Sequence, residues 1–270
     1  MSSALHPLDL ATQLTPLEEG RFRGRITPAY ANMVGPFGGT IAAVMLNGPL
    51  LDPRRLGEPV SLTVNFAGPI ADADFEVTTR VARTNRSTQH WIVELSQDGE
   101  VAVTATALFA VRRETWSDCE LPFPDVPAPE AVPVANFAKV TPWVNNYQIR
   151  PIDGILTFNS KDIPSHSQST LWIRDEPPRP LDFVALTSMA DAFFPRIFVR
   201  QQKPCPAGTV SMTLYFHADG TELAALGSSE LLGRARAQQY RNGFLDQTAE
   251  LWSEDGRLLV SSNQLVYYKL

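Results

Sequence analysis

Histidine and cysteine are scarce in this chain of 270 residues, which holds four of the first and two of the second. His6, His90, His166 and His217 show no metal-ligand spacing, and Cys119 and Cys205 form no C-x-x-C pair. A zinc or redox centre is therefore not expected, and the reading is of no metal and no cofactor. Cys205 stands between Pro204 and Pro206 with no histidine near it in sequence, a poor setting for a nucleophile. There is no G-x-S-x-G elbow, no phosphate-binding Walker loop and no G-x-G-x-x-G turn. Basic residues do not outnumber acidic ones: 23 against 29 leaves a net charge of -6. That argues against general nucleic-acid binding and against an anionic membrane surface, while leaving room for a local arginine cluster around a small anion. Arg234, Arg236 and Arg241 are candidates for such a cluster by charge alone. No apolar run approaches the roughly 20 residues of a membrane span, so no membrane insertion is expected. Residues 1–20 lack the apolar core of a secretion signal. The expected setting is a reducing cytoplasm with free thiols.

What is present is an ordinary globular balance, 44% hydrophobic and 19% charged. One stretch organises the rest. Leu181 to Pro195 reads as a buried helix, started by Pro180 and Asp182 and stopped by Pro195. Phe183, Leu186, Ala190 and Phe194 recur at helical spacing. The other side, with Val184, Ala185, Met189, Ala192 and Phe193, is hardly more polar. A helix apolar nearly all round is wrapped by other structure. Asp191 is then a buried carboxylate, which must be paired, hydrogen-bonded or shifted in pKa. On these residues alone, a structural role beside backbone or an arginine serves as well as a chemical one.

The remaining chain is strand-like. Residues 1–16 read as a loose arm, and Leu17 to Thr27 alternates as a first strand. Gly38-Gly39 opens a helix of small apolar residues, where glycine permits close backbone approach or frees amides at the helix start. Strands are expected at 60–66, 75–82, 89–96 and 101–111, with Asp98-Gly99 as a hairpin turn. Eleven of the 22 prolines then fall between Pro122 and Pro180, and residues 116–150 read as a linker. A strand is expected to return at 154–162. After the Asp191 helix come four more strands, at 209–217, 228–238, 244–252 and 258–268, with turns at Asn242-Gly243 and Asp255-Gly256. Asp98-Gly99 recurs as Asp255-Gly256, 157 residues on. The order strand, helix, four strands thus occurs twice, an internal duplication with little residue identity.

If the halves are equivalent, their differences point to the site. Gln264 interrupts an apolar face with Leu258, Val260 and Val266, and the same offset places Ala107 opposite it. A buried glutamine needs partners for its amide, which a structural bridge to backbone would also supply. Thr209 falls by alternation with Ser211, Thr213 and His217, on the polar face, and periodicity does not single it out.

Together these residues carry a likeness. Leu17 to Gly24, Phe37-Gly38-Gly39, Ala190-Asp191, Gly208 to His217 and Asp255 to Gln264, in that order and spacing, resemble the double-hotdog acyl-CoA thioesterases, the bacterial type II family. The resemblance covers most of residues 17–270 outside the linker. It implies an α+β double hotdog: two fused helix-wrapped antiparallel sheets, at 1–115 and 151–270, joined by 116–150. It also implies hydrolysis of acyl-CoA to free acid and CoA, within lipid metabolism. The family's catalytic Asp, Ser or Thr, and Gln fall on Asp191, Thr209 and Gln264, and so the resemblance promotes Thr209. A water held by these three would attack the thioester, with Gly38 and Gly39 supplying backbone amides for the oxyanion. The sequence around Asp191, Phe193-Phe194-Pro195-Arg196, is bulkier than the family pattern. A homodimer or larger homo-oligomer is expected. Two rival readings are an enoyl-CoA hydratase-like enzyme, disfavoured because no histidine lies near Asp191, and a non-catalytic acyl-CoA-binding protein.

Overall fold

A computed structural model describes residues 5–137, 141–158, 161 and 163–270. The first half runs α1 (Pro7–Ala11), β1 (Thr15–Glu18), β2 (Arg21–Arg25), α2 (Gly38–Leu51), β3 (Glu58–Phe66), β4 (Asp74–Thr84), β5 (Thr88–Gln97) and β6 (Glu100–Ala110). The second runs β7 (Tyr147–Asp153), β8 (Ser169–Asp175), α3 (Phe183–Met189), α4 (Arg196–Gln201), β9 (Ala207–Phe216), α5 (Gly220–Leu226), β10 (Leu231–Arg236), β11 (Tyr240–Arg241), β12 (Phe244–Trp252) and β13 (Leu258–Tyr268).

All strands join one antiparallel sheet in the order β1-β2-β4-β5-β6-β3-β9-β13-β12-β10-β8-β7, with β11 paired to β12. The order is the same read inward from either end, since β2-β4-β5-β6-β3 is matched by β8-β10-β12-β13-β9. The halves meet where β3 pairs β9, and that register is symmetric about Thr63 and Thr213. Their hydroxyls lie 3.1 Å apart. A pseudo-twofold axis therefore passes through this pair. The sheet curves around α2 and α3, which pack on each other, and nearly every side chain of both helices is buried. This is the double hotdog that the resemblance implies.

Local chemistry explains the turns. Asp98 and Gly99 both have positive φ, 50° and 83°, as do Asn242 and Gly243, 53° and 78°. Both pairs form the tight two-residue connection that strand twist favours. At Asp255-Gly256 only Gly256 has positive φ, 85°, and the loop is longer, closed by Ser253 N–H to Arg257 O at 2.9 Å.

Three expectations fail. The arm contains α1, with Leu8 fully buried, tied down by Asp9 to Arg179 at 2.8 Å. No strand occupies the described part of 154–162, of which residues 159, 160 and 162 lie outside the described set. The first core strand of this half is instead β8, whose sequence STLWIRD is buried on both faces and so shows no alternation. Finally, the Asp191 helix is shorter than its apolar pattern. Asp182 does cap it, accepting from Ala185 N–H at 2.8 Å, but it ends at Met189. The chain then tightens into turns, with Ala192 N–H on Met189 O at 3.0 Å and Phe193 N–H on Asp191 O at 2.7 Å. Asp191 stands in the turn after the helix. The segment between the halves is irregular yet packed: Trp172 donates to Pro127 O at 3.0 Å, and Phe123 meets Trp252 edge-on.

Candidate active site

The turn after α3 aims Asp191 at the start of α2. That start has no side-chain cap, since Phe37 occupies the cap position. The first amides of a helix need acceptors and carry partial positive charge. The Gly39 N–H faces the Asp191 carboxylate and favours its charged form, so a residue of the second half sits at the open helix start of the first. Glycine is required for this approach. A Cβ on Gly39 would lie 2.5 Å from Ser188 O, and one on Gly38 would lie 2.9 Å from Asp191 Oδ2.

The second partner comes from β13. Gln264 Nε2 donates to Asp191 Oδ1 at 2.8 Å, and Gln264 Oε1 accepts from the Thr209 hydroxyl at 3.0 Å. The order of donors is thereby set: hydroxyl to amide oxygen, amide N–H to carboxylate. All three sequence-predicted side chains come together. Thr209 does so against its alternation. Across β9 and β13, Met212 pairs Gln264 and Ser211 pairs Leu265, but Val266 pairs Thr209, leaving Val210 unpaired. This bulge shifts the parity of the strand. Val210 turns outward, 38% exposed, and Thr209 turns toward Gln264.

Burial raises the Asp191 pKa to about 7, opposed by the hydrogen bonds from Gln264 and Gly39. The carboxyl is thus poised near neutrality, in a cavity of about 1100 Å³ that Asp191, Thr209, Gln264 and Gly38 help to line. The walls are largely apolar, with several aromatic rings among them. Phe37 and Trp143 stack with centroids 4.2 Å apart, and Trp143 meets Phe194 at 6.1 Å. No histidine is among the described residues lining the cavity. Cys205 lines it, but burial pushes its thiol pKa up, away from thiolate. His217 is engaged elsewhere, 3.0 Å from Ser261 Oγ. Arg234, Arg236 and Arg241 do not line the cavity, and Arg234 is paired with Glu250 at 3.6 Å.

Sequence reasoning missed several groups. Tyr147 OH lies 2.7 Å from Ser188 Oγ in the last turn before Asp191. Gln247 sits opposite Gln264 in the β12–β13 register, and buried Arg196 donates to it at 3.1 Å. Gln247 was within reach of the argument used for Gln264, because it too interrupts an apolar strand face.

Comparison with known proteins gives a match to each half of the chain. Residues 27–110 match the acyl-CoA thioesterase N-terminal domain family, and residues 121–268 the acyl-CoA thioesterase C-terminal domain family. No curated protein gives a match. Among solved structures, the chain is similar to a conserved hot dog-fold protein of unknown function from Alicyclobacillus acidocaldarius. That pair shows 45% identity and a TM-score of 0.94, with 99% of each chain covered. It is also similar in fold to an acyl-CoA thioesterase II from Mycobacterium marinum, at 19% identity and TM-score 0.75, covering 97% of this chain and 98% of that one. A tesB protein from Mycobacterium avium subsp. paratuberculosis gives 18% identity and TM-score 0.80, covering 99% and 100%.

Proposed function

Because the chain belongs to the acyl-CoA thioesterase family, we propose that it hydrolyses acyl-CoA at Asp191, with Gln264 and Thr209 as its catalytic partners. The observation that carries this reading is a buried carboxylate, pKa about 7, held by Gln264 and Gly39 at the wall of an apolar cavity. A general base works best with a pKa near the working pH.

In the proposed reaction Asp191 takes a proton from a water as the water oxygen attacks the thioester carbon. The new C–O bond gives a tetrahedral oxyanion. Gly39 N–H favours the carboxylate, and Gly38 N–H in the same first turn, with the second N–H of Gln264, serves as donor to that oxyanion. The C–S bond then breaks. CoA leaves as thiolate, a good leaving group, and the proton on Asp191 returns to it or to solvent. Thr209 acts through Gln264 by fixing which end of its amide faces Asp191. The absence of histidine from the described lining favours hydrolysis over hydration of an enoyl group, which calls for a second acid–base group.

The test is release of CoA, read with a thiol reagent, from short, medium, long and aromatic acyl-CoAs by wild type and Asp191→Asn. Release by wild type and its collapse in a folded variant is the expected result. Consumption of an enoyl-CoA with no free thiol would show a hydratase instead, and full activity in the variant would remove Asp191 from the mechanism.

A further inference from the structure

Tyr147 opens β7, far from Asp191 in sequence, yet its hydroxyl lies 2.7 Å from Ser188 Oγ in the last turn of α3. Both residues are buried. A serine or threonine inside a helix can return its hydroxyl to the carbonyl four residues back. Thr187 does so, donating to Phe183 O at 2.7 Å. Its neighbour Ser188 reaches across to another element instead. Burial drives the Tyr147 pKa well above the ordinary tyrosine value. The hydroxyl is therefore a neutral group at any working pH, and its influence on its surroundings is one of placement.

Ser188 stands where the two sides of the site meet. Its carbonyl accepts from Asp191 N–H at 3.3 Å, and the same oxygen is the atom that a Cβ on Gly39 would strike. Its position therefore sets both the turn that carries the carboxylate and the approach of the α2 start. Among the described residues, two hydrogen bonds tie Ser188 and Ala190 to strands. Ser262 Oγ to Ala190 O is long, at 3.5 Å, and Tyr147 to Ser188 is the short one. Tyr147 is itself wedged in place. Its ring meets those of Tyr30, Phe37 and Trp143 edge-on, with centroids 6.2, 6.4 and 6.0 Å away. Phe37 is the residue before α2. Tyr147 thus bears on both sides of the contact between Asp191 and α2.

We propose that Tyr147 is a positioning residue for Asp191: its hydroxyl, acting through Ser188, fixes the turn that holds the carboxylate against the start of α2. It touches no reacting atom. The inference rests on the thioesterase reading of the Asp191 site and adds a residue to its support. Misplacing a reacting group by about 1 Å can cost about 10²-fold in rate. The carboxyl itself reports such a movement. Burial raises its pKa, Gln264 and Gly39 oppose the rise, and no charged side chain is among the causes. Asp153, Arg196, Cys205 and Tyr267 line the same cavity, and none of them makes a hydrogen bond to Asp191 among the described residues. A loosened turn admits water to the carboxyl and lowers its pKa.

The experiment compares wild type with Tyr147→Phe, Ser188→Ala, the double variant of these two, and Thr187→Val. CoA release is followed against pH with the acyl-CoA that wild type turns over fastest. The Asp191 carboxyl is titrated separately by carbon-13 NMR of aspartate-labelled protein, its signal identified by loss in Asp191→Asn. Tyr147→Phe lowers kcat about five- to thirtyfold and leaves KM within about threefold. It also moves the inflection of kcat/KM, and the carboxyl titration, down by about one pH unit. Ser188→Ala does the same, and the double variant loses no more than either alone, because the two hydroxyls act as one unit. Thr187→Val removes a hydroxyl of the same helix that does not reach Tyr147, so Tm falls while kcat stays within about twofold. A lower Tm in Tyr147→Phe with kcat and both titrations unmoved makes Tyr147 structural and overturns the proposal. Equal losses of kcat in Thr187→Val and Tyr147→Phe overturn it as well, since any loosening of α3 would then suffice. If wild type releases no CoA from any thioester, the hydrolytic reading fails and the carboxyl titration decides alone. A shift in Tyr147→Phe then supports the placement, and no shift overturns it.

Discussion

The two halves share one topology and divide one task. The pairing of Pro59 with Phe109 in the first half is the counterpart of Thr209 with Val266 in the second, and Leu62 with Ala107 is the counterpart of Met212 with Gln264. Both halves carry the bulge, at Val60 and at Val210, so the backbone that turns Thr209 inward is common to both. Only the second half places a hydroxyl and an amide on it. The helices differ in the opposite sense. The start of α3 is closed by its own Asp182, whereas α2 begins without a side-chain cap and is closed by Asp191. One half thus supplies an open helix start and the other a carboxylate with its partners. A duplicated fold can build one site across its seam by removing groups from one copy, not only by adding them to the other.

The largest way to break this division is Asp191→Asn, which should lower kcat/KM by roughly 10²–10⁴-fold. In wild type, kcat/KM should rise with pH to a plateau above about 7, because the base works only when deprotonated. A flat profile between about pH 5 and 9 would count against Asp191 as the base.

Gln264→Ala gives the second half the residue of the first. It removes the donor to Asp191 and should cost roughly tenfold to a hundredfold in rate. The reciprocal Ala107→Gln should create no activity in an Asp191→Asn background, because Asp182 already closes α3. Activity recovered in that double variant would contradict the division of labour.

Thr209→Val keeps the shape and drops the hydroxyl. A loss of roughly three- to tenfold, in kcat more than in KM, is expected for a residue that orients another. Unchanged kcat would reduce Thr209 to a bystander.

The smallest effect concerns stability. Asp175, at the end of β8, is 1% exposed, and neither of its oxygens has a hydrogen-bond partner among the described residues. Burial raises its pKa to about 7. A carboxyl whose folded pKa lies above its unfolded value makes folding less favourable as pH rises from about 4 through about 7. Asp175→Asn should therefore raise Tm by a few degrees at about pH 8, on the order of 1–2 kcal/mol, and change little at about pH 5. Equal shifts at both pH values would mean that ionisation of Asp175 is not the cause.

Much of the fold was legible from pattern. Strands β3 to β6, β9, β12 and β13 alternate because one face is core and the other more open. The turns at Asp98-Gly99 and Asn242-Gly243 follow from residues that accept positive φ. The readings failed where that logic has no purchase. β8 lies between β7 and β10 with both faces covered, so no alternation marks it. The helix before Asp191 looked longer than it is because the turns that follow are equally apolar and buried, and periodicity reports burial, not hydrogen bonding. Nothing local marks Arg196 as a buried charge, because its partners include carbonyls from distant segments.

By itself the sequence determined the duplicated order of elements, the burial of Asp191 and the intrusion of Gln264 into an apolar face. These are properties of local pattern, set by which side chains avoid water. Tertiary structure alone decided that Val210 is bulged out, that Thr209 therefore meets Gln264, and that Asp191 closes a helix from the other half with its pKa near 7. Each depends on register and desolvation between segments far apart in the chain, and no local pattern encodes either.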